Sequence, residues 1–240
     1  MKISLLIPII NEEEGIKVIM PRVKKEWVDQ ILFVDGGSTD NSVQLCKDMG
    51  YEIFTQTEKG PSAAYREAME KLTGDVIIDF SPDNNSIPEK IPELIDKMKS
   101  DNYDMVIVSR YLKGAKSEDD TFLSAIGNWF FTKSINLFHG GNYTDSLVMF
   151  RAYKKNLFYR FKFDDYKTFK IYDKIFFTKI GIHPLLSVRA AKAKLKVSEI
   201  PGDEPERIGG VSKMQLYGKL RWAFAYYSQI LLEIIFNRKL

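Results

Sequence analysis

The chain has 240 residues, 45% hydrophobic and 28% charged, which is enough apolar material for one large core and excludes a disordered segment. Its 35 Lys and Arg against 32 Asp and Glu leave a net charge of +3, too mild for a nucleic-acid binder but compatible with an anionic small molecule or a membrane surface. The single cysteine, Cys46, excludes an intramolecular disulfide and a cysteine-based zinc site, and makes a reducing, cytoplasmic setting the expectation.

The opening "MKISLLIPIINEEEG" has an apolar core like that of a signal peptide. It is short, runs into three glutamates and has no small-residue cleavage site, so it is predicted to form a first strand, Ile3 to Ile9. A helix through Val18 and Val23 and a strand "QILFVDGG" follow. Next come a helix over Ser42 to Met49, a strand "YEIF", a helix over Pro61 to Lys71 and a strand "DVIIDF". A helix over Pro88 to Lys99 and a strand "DMVIVSR" complete the first 110 residues. Strands alternating with single helices predict parallel strands joined by right-handed crossovers, a doubly wound α/β sheet whose ligands gather beyond the carboxyl ends of the strands.

The polar residues after those strands are therefore candidates to share one crevice: Asn11 and Glu12, Asp35 to Asp40, Asp79 to Asn85, and Ser109 with Arg110. Each loop also has an ordinary reading. "GGSTDN", for example, is a turn with a helix cap at Ser38 or Thr39. Their joint appearance at four strand ends is what favours a site.

Past residue 110 the alternation stops. A helix rich in Phe and Trp is expected from Thr121 to Phe138, then "HGGNYTDS", an apolar "LVMFRAY", a basic helix "LLSVRAAKAKLK", a strand "VSEIP", a loop "GDEPERIGGVSK" and a long final helix. There is no internal repeat or clear linker, so residues 1–212 are expected to form one domain and 213–240 a C-terminal amphipathic helix. In that helix apolar residues recur at Leu216, Leu220, Ala223, Phe224, Tyr227, Ile230, Leu231, Ile234 and Ile235, with Lys219, Arg221, Gln229 and Glu233 elsewhere. Its least polar part, Trp222 to Phe236, would extend roughly 22 Å against a hydrocarbon core of about 30 Å, too short to span. It is expected to pack on the domain or pair with a second subunit. Lying in a membrane interface is the sharper alternative.

The ordered set "PIINEEEGI", "ILFVDGGSTDNS", "KGPSAAYREAM", "GDVIIDFSPDNNSIPEKIPELI", "MVIVSRYLKGAK", "YTDSLVMFRAY" and "EIPGDEPERIGGVSKM" resembles the inverting family 2 glycosyltransferases of the GT-A fold. The likeness is greatest to their polyprenol-phosphate branch, the dolichol-phosphate mannose synthase-like transferases. The resemblance implies a nucleotide-binding half over 1–110 and an acceptor half over 111–212. It implies a UDP- or GDP-linked sugar as donor, held by Pro8, Asn11, Glu12, Asp35, Gly60, Asp79, Ser81 and Asp83. The family's usual Asp-Asp-Gly stands here as Asp35-Gly36-Gly37, and its Asp-x-Asp signature as Ser81-Pro82-Asp83, so one acid of each is missing. By resemblance Asp83 is the first-choice ligand of Mg²⁺ or Mn²⁺, with Asn85 adding an oxygen and Asp79 a second possibility. One protein carboxylate suffices, because such a cation takes its remaining ligands from phosphate and water.

Arg110, Arg207 and Lys213 are expected to meet the leaving diphosphate, where cations stabilise charge that develops in the transition state, and the resemblance places Arg110 near either the acceptor phosphate or that diphosphate. "ERIGGVSK", with Gly209 and Gly210, resembles the loop that closes on the donor. Asp145 aligns near the acceptor, as a positioning group or a base, with Arg151 as a phosphate clamp or a structural ion pair. Where relatives acting on hydroxyls carry an acid pair, this chain has His183-Pro184. The weak base favours a phosphate acceptor, largely anionic at neutral pH with a second pKa of about 6. The resulting expectation is transfer of a sugar to polyprenyl phosphate by a cytoplasmic enzyme, peripheral on the membrane or dimeric. The rivals are transfer to a hydroxyl and a non-catalytic nucleotide-sugar-binding protein.

Overall fold

The computed structural model describes residues 1–209 and 219–235. Its centre is a seven-stranded sheet in the order β3-β2-β1-β4-β6-β5-β7. The strands are β1 (Ile3–Ile9), β2 (Gln30–Asp35), β3 (Glu52–Thr55), β4 (Val76–Asp79), β5 (Met105–Ser109), β6 (Arg151–Lys154) and β7 (Val197–Pro201). Strands β1 to β4 pair in parallel, as do β5 and β7, while β6 lies antiparallel between β4 and β5. Strand–helix alternation foretells the parallel pairs. The strand β6 follows the helical region expected from Thr121 to Phe138 yet lies antiparallel, which strand–helix alternation does not foretell.

The helices are α1 (Glu13–Ile19), α2 (Ser42–Asp48), α3 (Pro61–Met69), α4 (Lys90–Ser100), α5 (Phe122–His139), α6 (Asn156–Arg160), α7 (Lys167–Phe176), α8 (His183–Lys192) and α9 (Lys219–Ile235). The sequence reading anticipates all but α6 and α7. Alternation along the strands sends Leu5, Ile7, Phe33 and Ile78 to one face, packed on α1 and α4, and Leu6, Leu32, Val34 and Ile77 to the other, packed on α3 and α8.

Two local features position the loops around the sheet. Gly15 of α1 sits so close to the turn after β4 that a Cβ there would lie 2.3 Å from the carbonyl oxygen of Pro82. That close approach fixes Pro82 and Asp83 against the first helix. Helix α5 opens with a capping box in which Thr121 and Ser124 satisfy each other's backbone, and closes on Gly140 in the left-handed conformation.

On the second face α8 is buried along His183 to Ala191, with α5 and α9 packed on it. The C-terminal helix therefore packs on the domain, but only part of the expected stripe, Ile230 with the partly buried Tyr227, meets the core. Gln229 and Glu233 are buried, while Phe224, Leu231, Ile234 and Ile235 are exposed. At Glu233 the reason is electrostatic: its Oε1 accepts from Arg189 Nη2 at 2.7 Å and its Oε2 lies 3.4 Å from Lys192 Nζ, so ion pairs hold it inward, while Gln229 is buried with neither amide atom hydrogen-bonded. The expected start at Lys213, Leu216 and the end at Leu240 lie outside the described residues. Among the described residues no helix is long and apolar enough to cross a membrane.

Candidate active site

A cavity of about 360 Å³ opens beyond the carboxyl ends of β1, β4 and β5. Pro8, Ser81, Asp83, Asn85, Arg110 and Arg207, named separately from the sequence, all line it. Tyr65, Asn128, His183, Trp222 and Tyr226 close the other side, from α3, α5, α8 and α9.

The turn after β4 is tied to the segment after β7. Asn84, at φ +76, donates from Nδ2 to Glu206 O at 2.8 Å, and Asn85 Nδ2 donates to Pro205 O at 3.2 Å. Ile208 N donates to Asp83 O at 2.9 Å. This stapling brings Arg207 Nη1 to 2.5 Å from Asp83 Oδ2 and 3.9 Å from Glu12 Oε1. Lys213, the expected further cation, lies outside the described residues.

Asp83 Oδ1 accepts the Asn85 backbone N–H at 3.1 Å. Asn85 Oδ1 is buried and has no hydrogen-bond partner, because its amide nitrogen is fixed on Pro205 and the oxygen is left over. Among the described residues no group of three or more His, Cys, Asp or Glu is placed to hold a metal. The donor set is thus one carboxylate and one orphaned amide oxygen. It fits Mg²⁺ or Mn²⁺, which take hard oxygen donors and few of them from the protein when phosphates are present.

Arg110 forms the second cluster. Its Nε donates to Asp145 Oδ2 at 2.6 Å and its Nη2 to Asp145 Oδ1 at 3.1 Å, a bidentate pair. Its Nη1 lies 3.1 Å from Glu204 Oε1 and 3.8 Å from Asp120 Oδ2. Burial works against the Arg110 charge, but these carboxylates hold its pKa above the ordinary arginine value. Burial alone would raise Asp145, yet the Arg110 guanidinium holds it below the usual aspartate value. Burial pushes Glu204 up, and Ser117 Oγ donates to it at 2.5 Å. Glu199 of β7 accepts the backbone N–H of Thr144 at 2.9 Å and of Asp145 at 3.1 Å, which sets the Asp145 turn.

Several expectations need correction. Asp145, expected beside the acceptor, is fully buried beneath Arg110, pairs with its guanidinium and is not among the residues lining the cavity. Asp79 points to the opposite face from Ile78 and does not line the cavity. It lies behind the cavity wall, with its Oδ2 2.8 Å from His183 Nε2 and its Oδ1 accepting from Tyr153 Oη at 3.5 Å. Strand alternation decides this, because Asp79 shares the face of Ile77. Arg151 does not line the cavity, and among the described residues it makes no ion pair. It is fully buried and donates to Ser187 Oγ at 2.8 Å and to the Val148 and Ser146 carbonyls. Ser38 and Thr39 do not cap α2, whose N-cap is Asn41.

Asn11 and Asp35 reach the strand ends but hold the intervening loop. Asn11 Oδ1 accepts from Thr39 N at 2.7 Å, and Asp35 accepts from Ser38 N at 2.8 Å and Thr55 Oγ1 at 3.0 Å. Gly60, at φ +117, precedes α3, with its neighbour Pro61 on the cavity. Sequence reasoning misses Glu204 and Asp120. Glu204 lies within "EIPGDEPERIGGVSKM" without a role implied by the resemblance, Asp120 lies in a charged loop outside the resembling segments, and only the fold brings them to Arg110.

Over residues 4–167 the chain matches the family model described as Glycosyl transferase family 2. It is 24% identical to Glycosyltransferase AglJ of Haloferax volcanii, over 91% of this chain and 72% of that one. It is 32% identical to the dolichol-phosphate mannosyltransferase of Pyrococcus furiosus, over 51% of this chain and 37% of the relative. Identity to the undecaprenyl-phosphate 4-deoxy-4-formamido-L-arabinose transferase of Pectobacterium atrosepticum is 28%, over 65% of this chain and 49% of that one. The match thus spans half or less of these last two relatives. Glucosyl-3-phosphoglycerate synthase from Mycobacterium tuberculosis, solved with phosphoglyceric acid, superposes with a TM-score of 0.69 at 15% identity, over 97% of this chain and 80% of that one. The same enzyme with Mn²⁺, uridine diphosphate and phosphoglyceric acid gives 0.63 at 14% identity, over 95% and 78%. With most of its length matched by the family model and its sheet superposing on a solved synthase, the chain belongs to glycosyl transferase family 2 and has the GT-A fold.

Proposed function

We propose that the protein transfers a sugar from a nucleotide diphosphate sugar to a polyprenyl phosphate, with inversion at the anomeric carbon. The observation that carries this reading is Asp83, beside the orphaned Asn85 oxygen and paired with Arg207, on the cavity at the carboxyl ends of the parallel strands. The Mn²⁺ and uridine diphosphate bound by the solved synthase support the donor class, and the lipid-phosphate acceptors in the names of the Pyrococcus and Pectobacterium relatives support the acceptor class.

Asp83 and Asn85 would hold Mg²⁺ or Mn²⁺. When bound, the ion neutralises charge on the diphosphate leaving group. Arg207 sits beside Asp83 and is placed to meet the same charge as the bond from the anomeric carbon to the diphosphate oxygen breaks. Arg110, held by Asp145 through Nε and Nη2 and by Glu204 through Nη1, lines the cavity, where its charge can orient the attacking phosphate oxygen. An anionic acceptor needs no proton removed, which agrees with Asp145 being locked in an ion pair. One observation favours a second reading, transfer to a hydroxyl: His183 lines the cavity with Asp79 behind it at 2.8 Å, a base with an orienting acid.

The test is a thermal-shift panel of UDP, GDP and their sugars with and without Mn²⁺, followed by extraction of labelled product into organic solvent. Stabilisation by a nucleotide diphosphate with Mn²⁺, lost in Asp83→Ala, and a solvent-extractable sugar are expected. No stabilisation by any donor, or stabilisation unchanged in Asp83→Ala, would overturn the donor site. Water-soluble product alone would select the second reading.

A further inference from the structure

Helix α5 is amphipathic in the inverted sense. Its inward face carries Asn128, Thr132 and Ser134 beside Phe131 and Ile135. Its outward face carries Phe122, Leu123, Trp129 and Leu137, which are 84%, 78%, 61% and 77% exposed. A helix at a water-facing surface shows the reverse arrangement, and contiguous exposed apolar patches mark interaction surfaces. Helix α9, packed along α5, repeats the inversion with Gln229 and Glu233 inside and Phe224, Leu231 and Ile235 outside. Phe130 of α5 stacks on Tyr227 of α9, which joins the two outer faces. Helix α9 also contacts α7, where Ile171 and Ile175 are exposed, with Phe177 just beyond it. Three elements in mutual contact through α9 thus expose apolar side chains.

The exposed charged side chains of the three helices themselves have one sign. Lys133 on α5, Lys170 and Lys174 on α7 and Arg221 on α9 are exposed. The acids of the same helices are occupied: Asp173 is paired with Lys179 at 2.5 Å, and Glu233 is buried against Arg189. Pairing with a second copy about a two-fold axis would set cations against cations, with no exposed acid among the described residues of these helices to answer them. An anionic lipid surface answers both features, with acyl chains for the aromatic and aliphatic side chains and headgroups for the lysines.

We propose that the outer face of α5, α9 and α7 is a docking surface for an anionic phospholipid bilayer. Two of these helices also wall the cavity with their inner sides, through Ser124 and Asn128 on α5 and Trp222 and Tyr226 on α9. A lipid-phosphate acceptor would therefore enter beside the docked face. That last step rests on the proposed acceptor, whereas the surface itself does not.

The test is co-sedimentation of the full chain with vesicles of phosphatidylcholine, and of phosphatidylcholine mixed with phosphatidylglycerol, combined with light scattering for the oligomeric state. The wild-type chain should partition onto the mixed vesicles and lose binding at high salt. The double substitution Trp129→Glu with Leu137→Glu, at exposed positions, should weaken partitioning by about tenfold or more. Lys170→Glu with Lys174→Glu should weaken it by about tenfold on anionic vesicles only. Both variants should keep the wild-type melting temperature and nucleotide-diphosphate response, which shows that the fold and donor site are intact. Wild-type protein left in the supernatant, equal binding by the variants, or a dimer that Trp129→Glu dissociates in the absence of vesicles would each overturn the proposal. Vesicle binding without any nucleotide response would instead remove the proposed function and leave the surface standing.

Discussion

Arg110 is the residue on which most of the site's charge converges. Asp145, Glu204 and Asp120 all face its guanidinium, and Asp145 holds it by the bidentate pair. Replacing Asp145 removes the bidentate pair but leaves Arg110 facing Glu204 and Asp120, so its charge stays compensated. Asp145→Asn is therefore expected to destabilise the fold by about 1–3 kcal/mol in urea unfolding. The same pair makes stability depend on pH. Burial would raise Asp145, but Arg110 holds its folded pKa below the reference value of 3.8. The unfolded chain then binds the proton first, so the contribution of Asp145 is present above pH 3.8 and lost as pH falls through the folded value. The acid limb of stability against pH should be shallower in Asp145→Asn than in wild type. Asp79, raised by burial, acts with the opposite sign and is present in both proteins, so it drops out of the comparison.

At the scale of elements, the donor site depends on how closely α1 and the turn after β4 approach. A Cβ at Gly15 would fall 2.3 Å from the Pro82 carbonyl oxygen and 3.3 Å from Asp83 Cα, both backbone atoms that cannot swing aside. Gly15→Ala must therefore move the turn that carries Asp83. The expected result is a stability loss of about 1–3 kcal/mol, together with a weaker Mn²⁺-dependent response to nucleotide diphosphate. A loss of stability with an unchanged Mn²⁺ response would show that the turn tolerates the displacement. The stapling of Asn84 and Asn85 to Glu206 and Pro205 belongs to the same scale, since two turns far apart in sequence place Arg207 on Asp83.

At the scale of the whole molecule, the second face of the sheet carries two layers, with α8 inside and α5 and α9 outside. That arrangement explains how a helix as apolar as α9 can bury Glu233 and expose Leu231. Adjacent residues test it. Ile230 is fully buried and Leu231 is 41% exposed, so Ile230→Ala should cost about 2–5 kcal/mol by denaturant unfolding and Leu231→Ala within about 0.5 kcal/mol. If the helix instead packed through its whole expected stripe, both substitutions would be costly.

Local patterning was enough to specify the parallel core and the polar loops at its carboxyl ends, because strand and helix periods follow from backbone geometry and turn chemistry from neighbouring residues, whereas the role proposed for Asp83 came from the family resemblance of its loop. It left open which side of its strand Asp79 faces, and it held no sign that Glu204 would cross 94 positions to reach Arg110. The insertion of β6 between β4 and β5 and the inverted faces of α5 and α9 arise only once the whole chain has packed. A polar side chain turns inward when distant partners satisfy it, as Arg189 and Lys192 do for Glu233, and such partners are chosen by packing between segments that neighbouring residues do not encode.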